Sequence, residues 1–111
     1  MAEAIISGIL DAGLATPDDI KVGEPLESRR QHLTDKYGLT STSNNNMVLE
    51  GAELAILAVK PQNLQEVLAD IRPNMDSHVV MSIVAGATID TLTKGLDHTA
   101  VVRVMPNTPC L

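Results

Sequence analysis

The chain has 111 residues, is 44% apolar, carries a formal net charge of −6 at pH 7, and contains one Cys, one Tyr and no Phe or Trp. That acidic balance argues against a nucleic-acid partner or an anionic lipid surface, and no apolar run approaches the roughly 20 residues that cross a bilayer. Cys110 stands alone, three scattered His add no zinc-ligand spacing, and Met1-Ala2-Glu3-Ala4 lacks the basic region of a secretory signal, so the expected setting is the cytoplasm.

Ile, Leu, Val, Met and Ala must fill the core, which favours layered α/β packing in one domain. Ile5, Ile6, Ile9 and Leu10 predict a helix over Ala2–Ala12, with Gly13 as its stop. Thr16-Pro17-Asp18-Asp19 is a turn and Ile20–Gly23 a short strand. Pro25–Tyr37 follows as a polar helix closed by Gly38, with Leu26, His32 or Leu33, and Tyr37 facing inward. Leu39–Ser41 is a brief strand, after which Asn44-Asn45-Asn46 caps a helix over Met47–Gly51. Leu54–Val59 is a continuous apolar run and reads as a strand buried on both faces. Leu64, Val67, Leu68 and Ile71 give the helical spacing of Asn63–Ile71. A second buried strand covers His78–Val84, Thr88 caps a helix to Leu96, and Thr99–Val104 is the last strand before an extended Met105–Pro109 loop. Strand and helix alternate, which implies a parallel sheet wound on both faces. A doubly wound domain normally begins with a strand, and this chain begins with the helix that should follow it.

Ligands of open α/β sheets bind just past the carboxyl ends of the strands. Lys60-Pro61 stands at such an end, where a cation and a rigid proline mark either a site or a plain strand-to-helix corner. Val84-Ala85-Gly86 closes the next strand with small residues that let a flat ring approach, or that a tight turn requires. Glu24 follows the second expected strand at the distance where an acid meets a ribose 2′-hydroxyl; equally, it is an acid favourably placed at a helix start. Arg29 and Arg30, one turn on, would offset the repulsion between Glu24 and a 2′-phosphate. Asn45 reads as an N-cap whose amide remains available to a ligand. Arg103 fits a partly exposed edge position, and His32, His78 and His98 show no catalytic placement.

Four segments stand in a familiar order and spacing: Met1-Ala2-Glu3-Ala4, Ala58-Val59-Lys60-Pro61, Ser82-Ile83-Val84-Ala85-Gly86-Ala87-Thr88-Ile89 and Val102-Arg103-Val104-Met105-Pro106-Asn107-Thr108-Pro109. Together they resemble the cofactor-binding half of pyrroline-5-carboxylate reductase, the enzyme that makes proline, over residues 1–111. The resemblance implies a partial NAD(P)-binding Rossmann domain, with Met1 and Ala2 as the last two positions of the family's G-x-G-x-x-A fingerprint. The strand and glycines before them, and the helical C-terminal half that dimerises in the homo-oligomeric family, have no counterpart here. The chain thus reads as a fragment whose first strand is missing.

By the same resemblance Asn45 lies near the adenosine half of the cofactor, and Ala58, Val59, Lys60 and Pro61 line its nicotinamide end with Val84, Ala85 and Gly86. Asn107 and Thr108 face both the nicotinamide and a small imine carboxylate substrate. The implied cofactor is NADP, with NAD possible. No catalytic acid or base is assigned, because hydride transfer to a carbon–nitrogen double bond relies on the cofactor's chemistry and the protein's positioning.

Two other readings compete. A Lys-Pro after an apolar strand also occurs in receiver-like phosphoacceptor domains, but the strand ends here offer no acidic pocket for magnesium. A reductase remnant, inert in isolation, is the other. Loss of a central strand removes on the order of eight to ten ladder hydrogen bonds worth roughly 1 kcal/mol each, which rivals the stability of an ordinary domain. The strands at Ile20–Gly23 and Leu54–Val59 are therefore expected to flank a gap or a strained pairing, and cofactor affinity to be weak.

Overall fold

The computed structural model describes residues 2–105, so the expectations on Met1, Asn107, Thr108 and Cys110 lie outside the described residues. The described chain divides into two compact units at the Val48–Leu49 junction.

In the first unit, α1 (Ala2–Asp11) ends at Gly13, and a short 3-10 turn (Pro17–Asp19) leads into β1 (Lys21–Gly23). The turn is pinned by Asp19, whose Oδ2 accepts from the Thr16 backbone N–H at 3.0 Å and from its hydroxyl at 3.1 Å. α2 (Glu27–Tyr37) is closed by Gly38, whose φ of 72° is the left-handed cap that glycine adopts without strain. β2 (Thr40–Thr42) lies parallel to β1, with Val22 opposite Ser41, and α3 (Asn45–Leu49) follows. Ile6, Leu33 and Leu39 form the core, with Leu10, Ile20, Val22 and Tyr37 packed against them.

Two expectations are corrected here. Leu26 does not face inward: it sits before the first helical residue and is 59% exposed, and Leu33 supplies the buried side chain of α2. The helix expected over Met47–Gly51 lies at Asn45–Leu49. Its start is shifted because Asn44, not Asn45, turns the chain, its Oδ1 accepting from the Asn46 N–H at 3.0 Å.

In the second unit, β3 (Leu54–Leu57), α4 (Leu64–Ile71), β4 (Val79–Ser82), α5 (Ile89–Leu96) and β5 (Val101–Arg103) build a three-stranded parallel sheet in the order β3-β4-β5. Leu57 stands opposite Ser82, and Ser82 opposite Arg103. Successive right-handed crossovers in one direction carry α4 and α5 to the same face. Leu57, Leu64, Leu68, Ile71, Val80, Leu92 and Leu96 are buried there. Gly95 brings the helices close: a Cβ on it would stand 2.6 Å from Leu68 Cδ1 and 3.3 Å from Leu68 Cβ.

The Leu54–Val59 strand is therefore not buried on both faces. Its other side, in register Leu54–Val79 and Met81–Val102, leaves Leu54, Val79 and Val102 close to half exposed. Each strand is also shorter than its apolar run, since the ladder ends before the hydrophobicity does. Ala58, Val59, Ile83 and Val84 leave the sheet as apolar loop residues.

The described strands thus form two sheets, β1-β2 and β3-β4-β5. β1 and β3, the strands expected to flank a gap or a strained pairing, belong to different sheets. All described pairings are parallel, so the α/β reading stands.

Among the described residues, no helix is long and apolar enough to cross a membrane, and no group of three or more His, Cys, Asp or Glu is placed to hold a metal ion.

Candidate functional site: the carboxyl edges of the parallel strands

Parallel strands present all their carboxyl ends on one edge, so loops far apart in sequence leave each sheet side by side, strands being about 4.8 Å apart. In the three-stranded sheet, the Ile83 N–H donates to the Leu57 carbonyl at 3.1 Å and the Val104 N–H to the Ser82 carbonyl at 2.8 Å. These last rungs set the exits of β3, β4 and β5 in a row. Beyond β3, Val59 packs on the core and Lys60 is exposed at the start of the 3-10 turn Pro61–Asn63, its carbonyl accepting from the Asn63 N–H at 2.9 Å. Pro61 suits that first turn because the missing N–H needs no partner there.

Beyond β4, the fully buried Ser82 hydroxyl accepts from the Val84 N–H at 3.2 Å and draws Val84 into the core. Ala85 and Gly86 then turn outward, exposed, before the Thr88 hydroxyl caps α5 by accepting from the Thr91 N–H at 3.1 Å. Gly86 has a φ of 77°, and a Cβ there would meet nothing within 4 Å. Backbone conformation, not crowding, calls for glycine, and the space above it is open. Lys60 and Gly86 therefore belong to adjacent exits on one edge.

In the first unit, the Glu24 N–H donates to the Thr42 carbonyl at 2.8 Å, closing the β1-β2 edge. The Glu24 carboxylate turns onto its own chain and accepts from the Leu26 N–H at 3.2 Å, the helix-start role weighed in the sequence. The two arginines part company. Arg29 reaches back to Glu3 at 3.5 Å, while Arg30 lays its Nη1 on the Glu24 carbonyl at 2.7 Å, half-buried at the strand end. A Cβ on Gly23 would collide with the Asn45 carboxamide, so this glycine makes the space that lets Asn45 lie across the end of β1.

Glu3 is the hub of a separate surface cluster with His32 at 2.8 Å and Lys36 at 3.5 Å. Partial desolvation pushes its carboxyl up, but hydrogen bonds from His32 and Tyr37 and the charges of His32 and Lys36 outweigh this and hold it below its usual 4.5. The Asp19 carboxyl is also lowered, by the Thr16 backbone and hydroxyl hydrogen bonds.

Sequence reasoning did not single out His78, Gly23 or Gly95. His78 is buried, accepts at Nδ1 from the Asp76 N–H at 3.2 Å, and donates from Nε2 to the Leu49 carbonyl at 2.8 Å. That is a structural clamp, and no periodicity signals it.

Residues 1–86 match the protein family described as NADP oxidoreductase, coenzyme F420-dependent. This chain belongs to that family. Among proteins with curated names, the chain is similar to a pyrroline-5-carboxylate reductase of Synechocystis, 38% identical over 98% of this chain, and to that of Escherichia coli K12, 34% identical over the whole chain. This member of the family spans 41% and 42% of those two relatives. Among solved structures, a pyrroline-5-carboxylate reductase from Coxiella burnetii matches 98% of the chain and 41% of its own, with a TM-score of 0.90 and 28% identity. A Plasmodium falciparum pyrroline carboxylate reductase with NADP bound matches 97% of the chain and 39% of its own, with a TM-score of 0.80 and 27% identity. The Rossmann-like α/β fold is common to them.

Proposed function

We propose that this chain is the dinucleotide-binding part of a reductase that converts 1-pyrroline-5-carboxylate to L-proline with NADPH as hydride donor. The observation that carries the reading is similarity to reductases of that name along 96–100% of the chain, with the lysine and glycine exits of β3 and β4 adjacent on one edge. A receiver domain is disfavoured, because the ends of β1, β2, β3 and β4 carry Glu24, Thr42, Lys60 and Gly86 and no acidic pair.

The residues present fit a dinucleotide. Gly86 leaves open space above an exposed backbone turn, and Lys60 supplies a cation at the adjacent strand exit. When bound, the reduced nicotinamide supplies the hydride for the imine carbon. The chain's own task is to orient and to exclude water. Val84, held by Ser82, fixes the Ala85-Gly86 turn, whose exposed backbone would receive a flat ring if one bound there. Pro61 stiffens the opposite corner, and Lys60 places positive charge where an anionic ligand group is favoured. By resemblance alone Asn45, whose carboxamide lies against Gly23, would contact the adenosine half of the cofactor.

Asn107 and Thr108 extend the site by resemblance, as does the small imine carboxylate as substrate. A soluble, cytoplasmic, homo-oligomeric enzyme is the proposed context.

The test is a titration of the 15N-labelled chain with NADPH to millimolar concentration. The expected result is saturable shifts at Lys60, Ala85 and Gly86. Shifts elsewhere only, or none, would overturn the reading.

A further inference from the structure

We infer that the uncovered face of the three-stranded sheet is a self-association surface, and that its occupant is a second copy of this chain. The inference concerns the second unit by itself and does not rest on the dinucleotide reading. Side chains alternate along a strand, so the residues that pack on α4 and α5 also identify those that cannot. Val80, Ser82 and Leu57 are buried toward the helices, and Ala55 and Val101 pack on the same core. Leu54, Ile56, Val79, Met81, Val102 and Val104 are left for the opposite side. Leu54, Val79, Val102 and Val104 are between 38% and 49% exposed, and Ile56 and Met81 are partly exposed. Single exposed aliphatics are ordinary, but six on one face, none of them charged or able to hydrogen-bond, form a continuous patch of the kind that marks an interface.

The arrangement of sizes favours a second copy. Leu54 lies beside Val79, and Ile56 beside Met81 and then Val102. The β3 edge of the patch thus carries the longer side chains Leu54 and Ile56, the β5 edge carries valines, and Met81 stands between. A two-fold axis running along β4, between two stacked faces, sets β4 on β4 and the β3 of each copy over the β5 of the other. Long side chains then meet short ones on both flanks, as interdigitation requires, and the adaptable Met81 meets itself at the centre. Contact of two such faces buries on the order of 1,000 Å² in total, the lower bound of specific interfaces, so the dimer is weak. The chain's net charge of −6 weakens it further at low ionic strength, because the patch holds no charge to offset the repulsion between copies.

Sedimentation equilibrium of the chain from about 10 μM to about 1 mM tests this. The expected result is a monomer at the low end and a growing dimer fraction at the high end, strengthened several-fold by added salt. Val79→Lys and Val102→Lys should each weaken dimerisation at least tenfold. Ile89→Lys, which makes the same charge change at the exposed start of α5, should leave it unaltered. Amide spectra report that each variant is folded. A mixed sample of isotope-labelled and unlabelled parent chain supplies a second readout that needs no variant, with inter-copy nuclear Overhauser contacts expected between Ile56 and Val102. Dimerisation that survives in both folded face variants, or inter-copy contacts elsewhere only, overturns the inference. So does a chain that stays monomeric throughout; shielding of its Leu54 and Val102 methyls from a water-soluble paramagnetic agent would then show that the chain covers the face itself.

Discussion

The close approach of Gly95 to Leu68 offers a test of how the helices behind the candidate site are packed. Gly95→Ala adds one methyl group, whose nearest neighbours are Leu68 Cδ1 at 2.6 Å, Cβ at 3.3 Å and Cγ at 3.5 Å. Cδ1 is the mobile end of a side chain and turns aside most easily, but Leu68 is 1% exposed and enclosed by the core. Cβ moves only with the α4 backbone.

Two effects compete. Alanine in a helix interior is favoured over glycine by up to about 1 kcal/mol, and overpacking a filled core costs about 1–3 kcal/mol. The net expectation is destabilisation by about 1–2 kcal/mol. Leu68→Ala alone should cost about 2–5 kcal/mol by opening a cavity. In the double variant the new methyl enters that cavity, so the two costs should fall short of additive by about 1 kcal/mol or more. Urea unfolding of the four chains, followed by far-UV circular dichroism, measures this. Additivity within 0.5 kcal/mol, or a Gly95→Ala variant more stable than the parent, would refute the packing argument.

His78→Ala should destabilise by about 2–4 kcal/mol in the same assay, because it leaves the Leu49 carbonyl and the Asp76 N–H without their partner; a loss below 0.5 kcal/mol would show that the clamp is dispensable. Gly86→Val should weaken NADPH binding at least tenfold, since a β-branched residue resists φ near 77° and its side chain fills the space above the turn; unchanged affinity would remove Gly86 from the site. Glu3 has a folded pKa below its unfolded value, so its contribution to stability is complete above pH 4.5 and declines as pH falls through the lowered value. The parent should therefore lose stability faster on acidification than Glu3→Gln, and parallel pH–stability curves would contradict the electrostatic reading of that cluster.

How legible was all this in the sequence? Element identity followed from periodicity and punctuation: Gly13 and Gly38 ended the helices they were expected to end, and Thr88 caps α5 with its hydroxyl. Strand lengths did not follow, because hydrophobicity continues through Val59 and Val84, which pack on the core after the ladder has ended. The two-sided burial of Leu54–Val59 was misjudged for a related reason. An apolar run records the preference of its side chains, while the number of faces covered depends on where α4 and α5 cross.

The positions of Lys60, Pro61 and Gly86 at strand exits were legible, because residue types at strand ends carry that signal. It was ambiguous at Glu24, whose two roles differ only in the direction of a carboxylate. It was invisible at Gly23, whose reason is a neighbour more than twenty positions away in the chain.

The most direct test of the central claim is an amide-shift map of the chain saturated with NADPH. The account expects the largest shifts to cluster at Val59 and Lys60 and at Val84–Gly86, the adjacent exits of β3 and β4. Saturable binding whose shifts fall instead on the amino-end loops of those strands, around Glu53 and His78, would contradict it.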